Sequence, residues 1–266
     1  AMAGGDGNVD IIRHSGYADT NANPFWPGGE FTIEGIDGLN GVVIDDGDIT
    51  NMPSGVTVQK RTDTYQTFCL ETGEYIGTNL DALITNLAIA GGNGPKVTAF
   101  APGVPDYIPV MKNADGTDQW TGDELDDKTA VLYARFRQGT LPGYEYTPGQ
   151  LREDSARDLQ NAIWMLEKEI AMDPNNPFIE WVDSISLPED QINAVSVLTV
   201  WDSVTLNDDD SSNPYYVATG RHQDQLVLTG GDFRVVPTPT ASITGTALLG
   251  VLVIGSVVRR RRKAVV

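Results

Sequence analysis

The sequence predicts an α+β fold, an antiparallel sheet or sandwich with an inserted helical section, followed by a C-terminal hydrophobic helix. Three observations predict it. Alternating runs rich in β-branched and aromatic residues lie near the start and again between residues 194 and 236, amphipathic helical patterns lie between them, and residues 241–258 carry no charge. Because strands and helices come in blocks and do not alternate, antiparallel pairing is favoured over βαβ units.

The first third of the chain is predicted to be a loose segment followed by strands. Residues 1–24 are rich in Gly, Asp and Asn, which favours irregular structure. Residues 65–70 alternate and are rich in aromatic and β-forming residues, so they predict a strand that carries Cys69. Three earlier runs have the same character, with Asp-Gly turns between some of them: 31–33, 41–44 and 56–58.

Helices are predicted in the middle of the chain. Thr78 or Asn79 is a candidate N-cap for the first and Asp123 for the second, and Pro174 stops the third. Residues 92–122, with several Gly and Pro, are predicted to form a loop. The three predicted helices are 79–91, 123–137 and a longest one from about 148 or 152 to 171, in which the apolar residues follow helical spacing.

Strands are predicted to close the domain. Residues 194–201 fit a strand or a helix, and their β-branched content favours a strand. Residues 225–229 and 233–236 are predicted to be the closing strands. The organisation is therefore a loose segment at 1–24, one domain at 25–235 and a tail at 236–266.

The net charge of the chain limits the classes of molecule that it can bind. Lys and Arg number 18 against 37 Asp and Glu, a net charge of −19, and five of the cations lie in the tail. Nucleic acid is therefore excluded as a partner, because phosphate binding needs a positive surface. The chain begins without a charged and apolar leader, so we expect a signal peptide to have been removed or to be missing from this sequence.

The tail has three parts, a short proline motif, an uncharged stretch and a block of cations. Residues 241–258 as a helix would span about 27 Å, enough to cross a hydrocarbon core, and the cations would keep the end in the cytoplasm. This layout resembles the PEP-CTERM sorting signal of bacterial envelope proteins, although Thr238 stands where that motif has glutamate. The resemblance implies processing by an exosortase-type protease, transient anchoring in the inner membrane, and delivery to the cell surface or extracellular matrix. The residues that carry it are Val236, Pro237, Pro239, Arg259, Arg260, Arg261 and Arg262.

Two short motifs suggest chemistry. Cys69, the only cysteine, stands between Phe68 and Leu70, and Glu71 follows. Gln160 lies in the run Leu-Gln-Asn-Ala-Ile-Trp at 159–164. The pair resembles the two motifs of bacterial surface thioester domains, which implies an internal thioester between Cys69 and Gln160 and covalent attachment to lysine amines of a partner.

The residues give physical support to that resemblance. An exported lone thiol is unusual, because secreted proteins normally pair their cysteines. A thioester also survives only when shielded from water. We therefore expect Gln160 to face the strand from a packed helix, with Trp164 on the same face covering the bond. Tyr65, Thr67 and nearby backbone amides are candidate donors to the oxyanion that forms when the carbonyl is attacked.

Other readings remain open. The chain is also consistent with a structural, self-assembling envelope or matrix protein whose cysteine is inert and buried. A hydrolase that combines Cys69 with His222 is a weaker alternative, so we expect no enzyme. Neither His14 nor His222 stands in zinc-binding spacing, and the acidic segments 113–124 and 207–210 fit solvated loops better than calcium sites. No cofactor or metal is expected.

Overall fold

The computed structural model describes residues 7–12, 30–37, 48–49, 59–60, 64–72, 80–85, 87–89, 111–112, 122–147, 149–207 and 215–229. Within them the fold is α+β, with antiparallel pairing in all but one pair of strands. The strands are β1 (Gly7–Ile12), β2 (Phe31–Asp37), β3 (Asp48–Ile49), β4 (Gln59–Lys60), β5 (Thr64–Thr67), β6 (Leu80–Thr85), β7 (Leu87–Ile89), β8 (Met111–Lys112), β9 (Gly122–Glu124), β10 (Val195–Asn207), β11 (Tyr215–Arg221) and β12 (Gln225–Leu228). The helices are α1 (Asp127–Arg137), α2 (Gln150–Leu166), α3 (Pro177–Asp183) and α4 (Glu189–Ile192).

The main sheet closes on itself. Its strands follow the order β5-β2-β1-β6-β10, and β12 pairs with β10. The residues directly after β5 then pair with β12, through the bridge between Cys69 and Gln225. The pairing of residues 68–70 with residues 224–226, called the seam below, therefore closes the sheet on itself. The side β3–β4 and β7–β9 pairs lie outside it.

Two apolar clusters lie on opposite faces of this sheet, as the alternation of side chains along strands requires. One cluster is contributed by the strands alone and contains Cys69, Leu198, Val200 and Val227. The other joins the opposite strand face to the helices, and Phe68 is among its members. Consecutive residues of the seam thus belong to different cores.

Side-chain caps mark the starts of two of the described helices. The carboxylate of Asp126 accepts from the backbone N–H of Lys128 at 2.8 Å and caps α1, and Asn176 caps α3 in the same way. The longest helix, α2, packs its buried face, which includes Arg152, Ala156 and Gln160, against the protein. Lys168, just beyond its end, has φ of 64° and turns the chain out of the helix.

The predicted helix at 79–91 is wrong, because these residues form β6 and β7. Strand β6 lies between β1 and β10, and Leu80, Ala82 and Leu83 are all buried. A central strand with both faces covered is apolar nearly throughout, and a short run of that kind has no periodicity that separates it from a buried helix.

Smaller differences concern boundaries. Helix α1 begins at Asp127 and not at Asp123, which lies in β9, and α2 ends at Leu166, several residues before the predicted end. Strand β1 lies inside the segment predicted to be loose, and β8 lies inside the predicted 92–122 loop. The predicted strands at 194–201 and 225–229 are present as β10 and β12, whereas β11, α3 and α4 were not predicted.

Several predictions fall outside the described residues. These are the strands at 41–44, 56–58 and 233–236, most of the acidic segments at 113–124 and 207–210, and the whole tail from Val236 onward. Among the residues that the structure describes, no helix has the length and apolar character needed to cross a membrane.

Candidate functional site

The cysteine and a glutamine face each other across the seam. Leu70 N–H donates to Asp224 O at 3.1 Å, and Leu226 N–H donates to Phe68 O at 3.2 Å. These two bonds flank the bridge between Cys69 and Gln225, which makes that couple a non-hydrogen-bonded antiparallel pair. Such pairs bring their side chains closest together, with Cα atoms about 4.5 Å apart.

The side chains of this pair are in contact. The amide Nε2 of Gln225 lies 3.2 Å from Sγ of Cys69, and Oε1 of the same amide lies 3.8 Å from that sulfur. Since the amide carbon is bonded to both atoms, it lies within roughly 4 Å of the sulfur. Nε2 also donates to the backbone carbonyl of Gln223 at 3.1 Å. Both residues of the pair are fully buried.

Gln160 is close to the cysteine, but it binds the backbone and not the sulfur. Its Oε1 accepts from the Cys69 N–H at 3.1 Å, and its Nε2 donates to the Cys69 carbonyl at 2.7 Å. In a non-hydrogen-bonded pair the backbone groups point away from the partner strand. The amide of Gln160 satisfies these two groups as a neighbouring strand would, and it is itself 1% exposed. It fixes the backbone of Cys69 from the helix side.

A bulge in the opposite strand sets the direction of Gln225. Arg221 is opposite Trp201, whereas Gln225 is opposite Leu198, so four steps on one strand match three on the other. The bulge is tied to the cysteine segment through Glu71. Arg221 forms an ion pair with its carboxylate at 2.6 Å, and Gln223 Nε2 donates to its carbonyl.

A buried ion pair attaches the start of α2 to the sheet. Nε and Nη2 of Arg152 bind the two carboxylate oxygens of Glu30 at 3.0 and 2.5 Å, and both side chains are 1% exposed. Tyr144 donates to the same carboxylate at 2.7 Å, and burial raises the pKa of this tyrosine well above its usual value. Glu30 directly precedes β2, whose Phe31 pairs with a residue of β5, so the ion pair and Gln160 fix α2 at two points.

The predicted accessory residues of the site are Thr67, Tyr65 and Trp164. The hydroxyl of Thr67 donates to Leu226 O at 2.6 Å, which couples β5 to β12. Tyr65 is fully buried, desolvation raises its pKa, and its hydroxyl has no hydrogen-bond partner among the described residues. The side chain of Trp164 is partly buried. Its indole N–H is fully buried and has no hydrogen-bond acceptor among the described residues. The shielding role of Trp164 and the donor roles of Tyr65 and Thr67 stay predictions.

No metal centre accompanies this site, since the described residues hold no group of three or more His, Cys, Asp or Glu side chains arranged to bind an ion. Comparison of the chain with protein families, curated proteins and solved structures finds no match. The arrangement of side chains therefore carries the functional interpretation.

Gln225 is the site residue that sequence reasoning missed. Its strand was predicted, but its contact with Cys69 depends on pairing between segments 156 positions apart. One local signal was available. Gln225 opens the run Gln-Leu-Val-Leu, and a glutamine in an otherwise apolar strand needs polar partners once it is buried.

Proposed function

We propose that Cys69 and Gln225 form an internal thioester, and that the protein is an exported cell-surface or matrix protein that uses this bond to attach covalently to amines. The single observation that carries the proposal is the contact of the Gln225 amide with the cysteine sulfur at 3.2 Å in a buried cross-strand pair. The resemblance assigned the acyl group to Gln160. The contacts favour Gln225 for that part and favour Gln160 as the residue that fixes the cysteine.

Formation of the bond balances without a co-reactant. The thiol sulfur of Cys69 adds to Cδ of Gln225, the bond from Cδ to Nε2 breaks, and the amide nitrogen leaves as ammonia with the thiol proton. An amide is a poor electrophile, so the reaction depends on holding the reacting atoms together, which can lower a barrier by about 7–11 kcal/mol. The flanking strand hydrogen bonds and the two bonds from Gln160 supply that positioning.

Opening of the bond would give attachment. An amine adds to the thioester carbonyl, the sulfur leaves and takes a proton, and Gln225 ends as an amide of the partner's lysine. Burial of the pair keeps bulk water from the carbonyl before the partner arrives. The PEP-CTERM-like tail supports the localisation, through recognition by an exosortase-type protease and transient anchoring in the inner membrane.

A structural protein with an inert cysteine is the second candidate. Cys69 lies in an apolar cluster and is fully buried, and a free cysteine in such a place commonly acts as a small hydrophobic residue. In this reading the buried Gln225 amide has no chemical role, and its hydrogen bond to the Gln223 carbonyl serves only to satisfy it.

Intact mass and peptide mapping separate these candidates. The thioester makes the chain about 17 Da lighter than its sequence, and methylamine converts that deficit to a gain of about 14 Da. We expect the deficit to vanish in Cys69→Ala and in Gln225→Leu. After trypsin, the methylamide should lie in peptide 222–234, which holds Gln225, and not in peptide 158–168, which holds Gln160.

The outcomes differ for each reading. Label in peptide 158–168 would return the acyl role to Gln160. A native chain with its full sequence mass and no methylamine gain would leave the inert-cysteine protein as the function.

A further inference from the structure

An aspartate–histidine pair lies beside the bulge. Nε2 of His222 contacts Oδ1 of Asp202 at 2.7 Å, and the side chains are 17% and 63% exposed. Nδ1 of His222 is buried and has no hydrogen-bond partner among the described residues. When Nε2 donates its proton to the carboxylate, Nδ1 carries a lone pair and can accept a proton.

His222 faces the same side of the sheet as Gln225. Its backbone N–H donates to Val200 O at 2.9 Å, which aligns it with Val200, and Leu198 is opposite Gln225. Residues two apart on a strand share a face and are about 7 Å apart. Val200 and Leu198 both belong to the cluster that contains the cysteine. The extra residue of the bulge lets two residues three positions apart point to one side.

Gly220 leaves the space that the contact between Asp202 and His222 needs. Gly220 has φ of +65°, and a Cβ placed on it would lie 1.8 Å from Oδ2 of Asp202. Only glycine leaves room for the carboxylate to lie across this position and reach His222. The pair is therefore a positioned feature of the strand and not a chance meeting of two surface side chains.

We propose that His222, oriented by Asp202, is the general base when protonated primary amines open the thioester between Cys69 and Gln225. This inference rests on the proposed thioester. Nδ1 takes a proton from the amine, directly or through one water. The neutral nitrogen adds to the carbonyl of Gln225, the bond from Cδ to sulfur breaks, and the proton passes from His222 to the leaving sulfur of Cys69. The nitrogen of the new amide releases its second proton to solvent. Atoms and charge balance, and the base is restored.

The same pair defines the substrate class. Lysine side chains and simple alkylamines are cations at neutral pH, and the exposed carboxylate of Asp202 is an anionic group beside His222 that can attract such a cation. Gln225 and Cys69 are fully buried, so a nucleophile must approach them from a more exposed neighbour. His222 and Asp202 are such neighbours, which favours ammonium groups over neutral alcohols.

The test compares two nucleophiles on the intact protein. Methylamine must lose a proton before it attacks, whereas hydroxylamine is already uncharged at neutral pH. We expect His222→Gln to keep the mass deficit of the native chain and to open about 100-fold more slowly with methylamine. Hydroxylamine opening should slow much less. Asp202→Asn should show the same selectivity to a smaller degree, and Asp183→Asn, which alters an exposed carboxylate elsewhere, should match the native chain.

Each result bears on one proposal. A native chain without the mass deficit refutes the thioester itself. If the native chain has the deficit, the assignment of the base is overturned by native methylamine rates in His222→Gln, by equal slowing of both nucleophiles, or by loss of the deficit in that variant. Asp202→Asn keeps the imidazole in place, so it decides the question should His222→Gln fail to fold.

Discussion

Replacement of Gln160 by leucine should destabilise the protein through the backbone of Cys69. Leucine has nearly the same length but makes no hydrogen bond, so the variant leaves the Cys69 N–H and carbonyl without the partners they have at 3.1 and 2.7 Å. Each buried backbone group left unsatisfied costs about 1–3 kcal/mol. The loss from both groups is therefore about 2–6 kcal/mol.

The assay is equilibrium unfolding in urea in a Cys69→Ala background, where no thioester can cross-link the chain. The change should appear as a lower midpoint with an unchanged slope. Gln150→Leu is the matched control, because Gln150 lies on the same helix, is exposed, and makes only a 3.4 Å bond to Asp154. The control should shift stability by no more than about 0.5 kcal/mol. If Gln160→Leu lowers the free energy of unfolding by no more than the control does, Gln160 does not fix the backbone of Cys69.

Three further predictions concern the Arg152–Glu30 ion pair, Gly220 and Tyr144. Arg152→Met should lower the free energy of unfolding in urea by about 3–5 kcal/mol, because it removes the cation that pairs with the buried carboxylate of Glu30. Adding Glu30→Gln should recover part of the loss. A double variant no more stable than the single one would contradict this. Gly220→Ala should cost more than about 1 kcal/mol in thermal unfolding, and Asp202→Ala should relieve the steric part but not the backbone part; a neutral Gly220→Ala would show that the carboxylate does not lie there. The raised pKa of Tyr144 stabilises the fold fully below the unfolded tyrosine pKa, so the urea midpoint should fall as pH rises above about 10, and Tyr144→Phe should reduce that fall; equal pH profiles would count against it.

The sequence predicted the class of the fold and most elements whose pattern is local. Helices α1 and α2 carry amphipathic spacing, and β10 and β12 carry β-branched or aliphatic runs, so propensity and burial agree there. Strand β6 failed because its environment is set by distant segments: β1 and β10 pair with its two edges, and residues on both of its faces are buried. A pattern that depends on distant neighbours cannot be read from the residues of one segment.

The site was predicted in part for a related reason. A link between Cys69 and Gln160 was expected, and the two residues are indeed neighbours, joined by backbone contacts. The choice between Gln160 and Gln225 as the residue at the sulfur depends on strand register and on the bulge at 221–225. Register follows from the pairing of segments far apart in sequence, and a one-residue shift reverses every side chain.

The seam has a mechanical consequence. Gln225 is the first residue of β12, the last described strand, and the tail that resembles a sorting signal begins at Val236. If a partner is joined to Gln225 while the C-terminal end of the chain is held at the cell, tension falls on only the short stretch of chain between them. All four described helices and the eleven described strands before β12 would then lie outside the loaded stretch, so a pulling force would not unfold them.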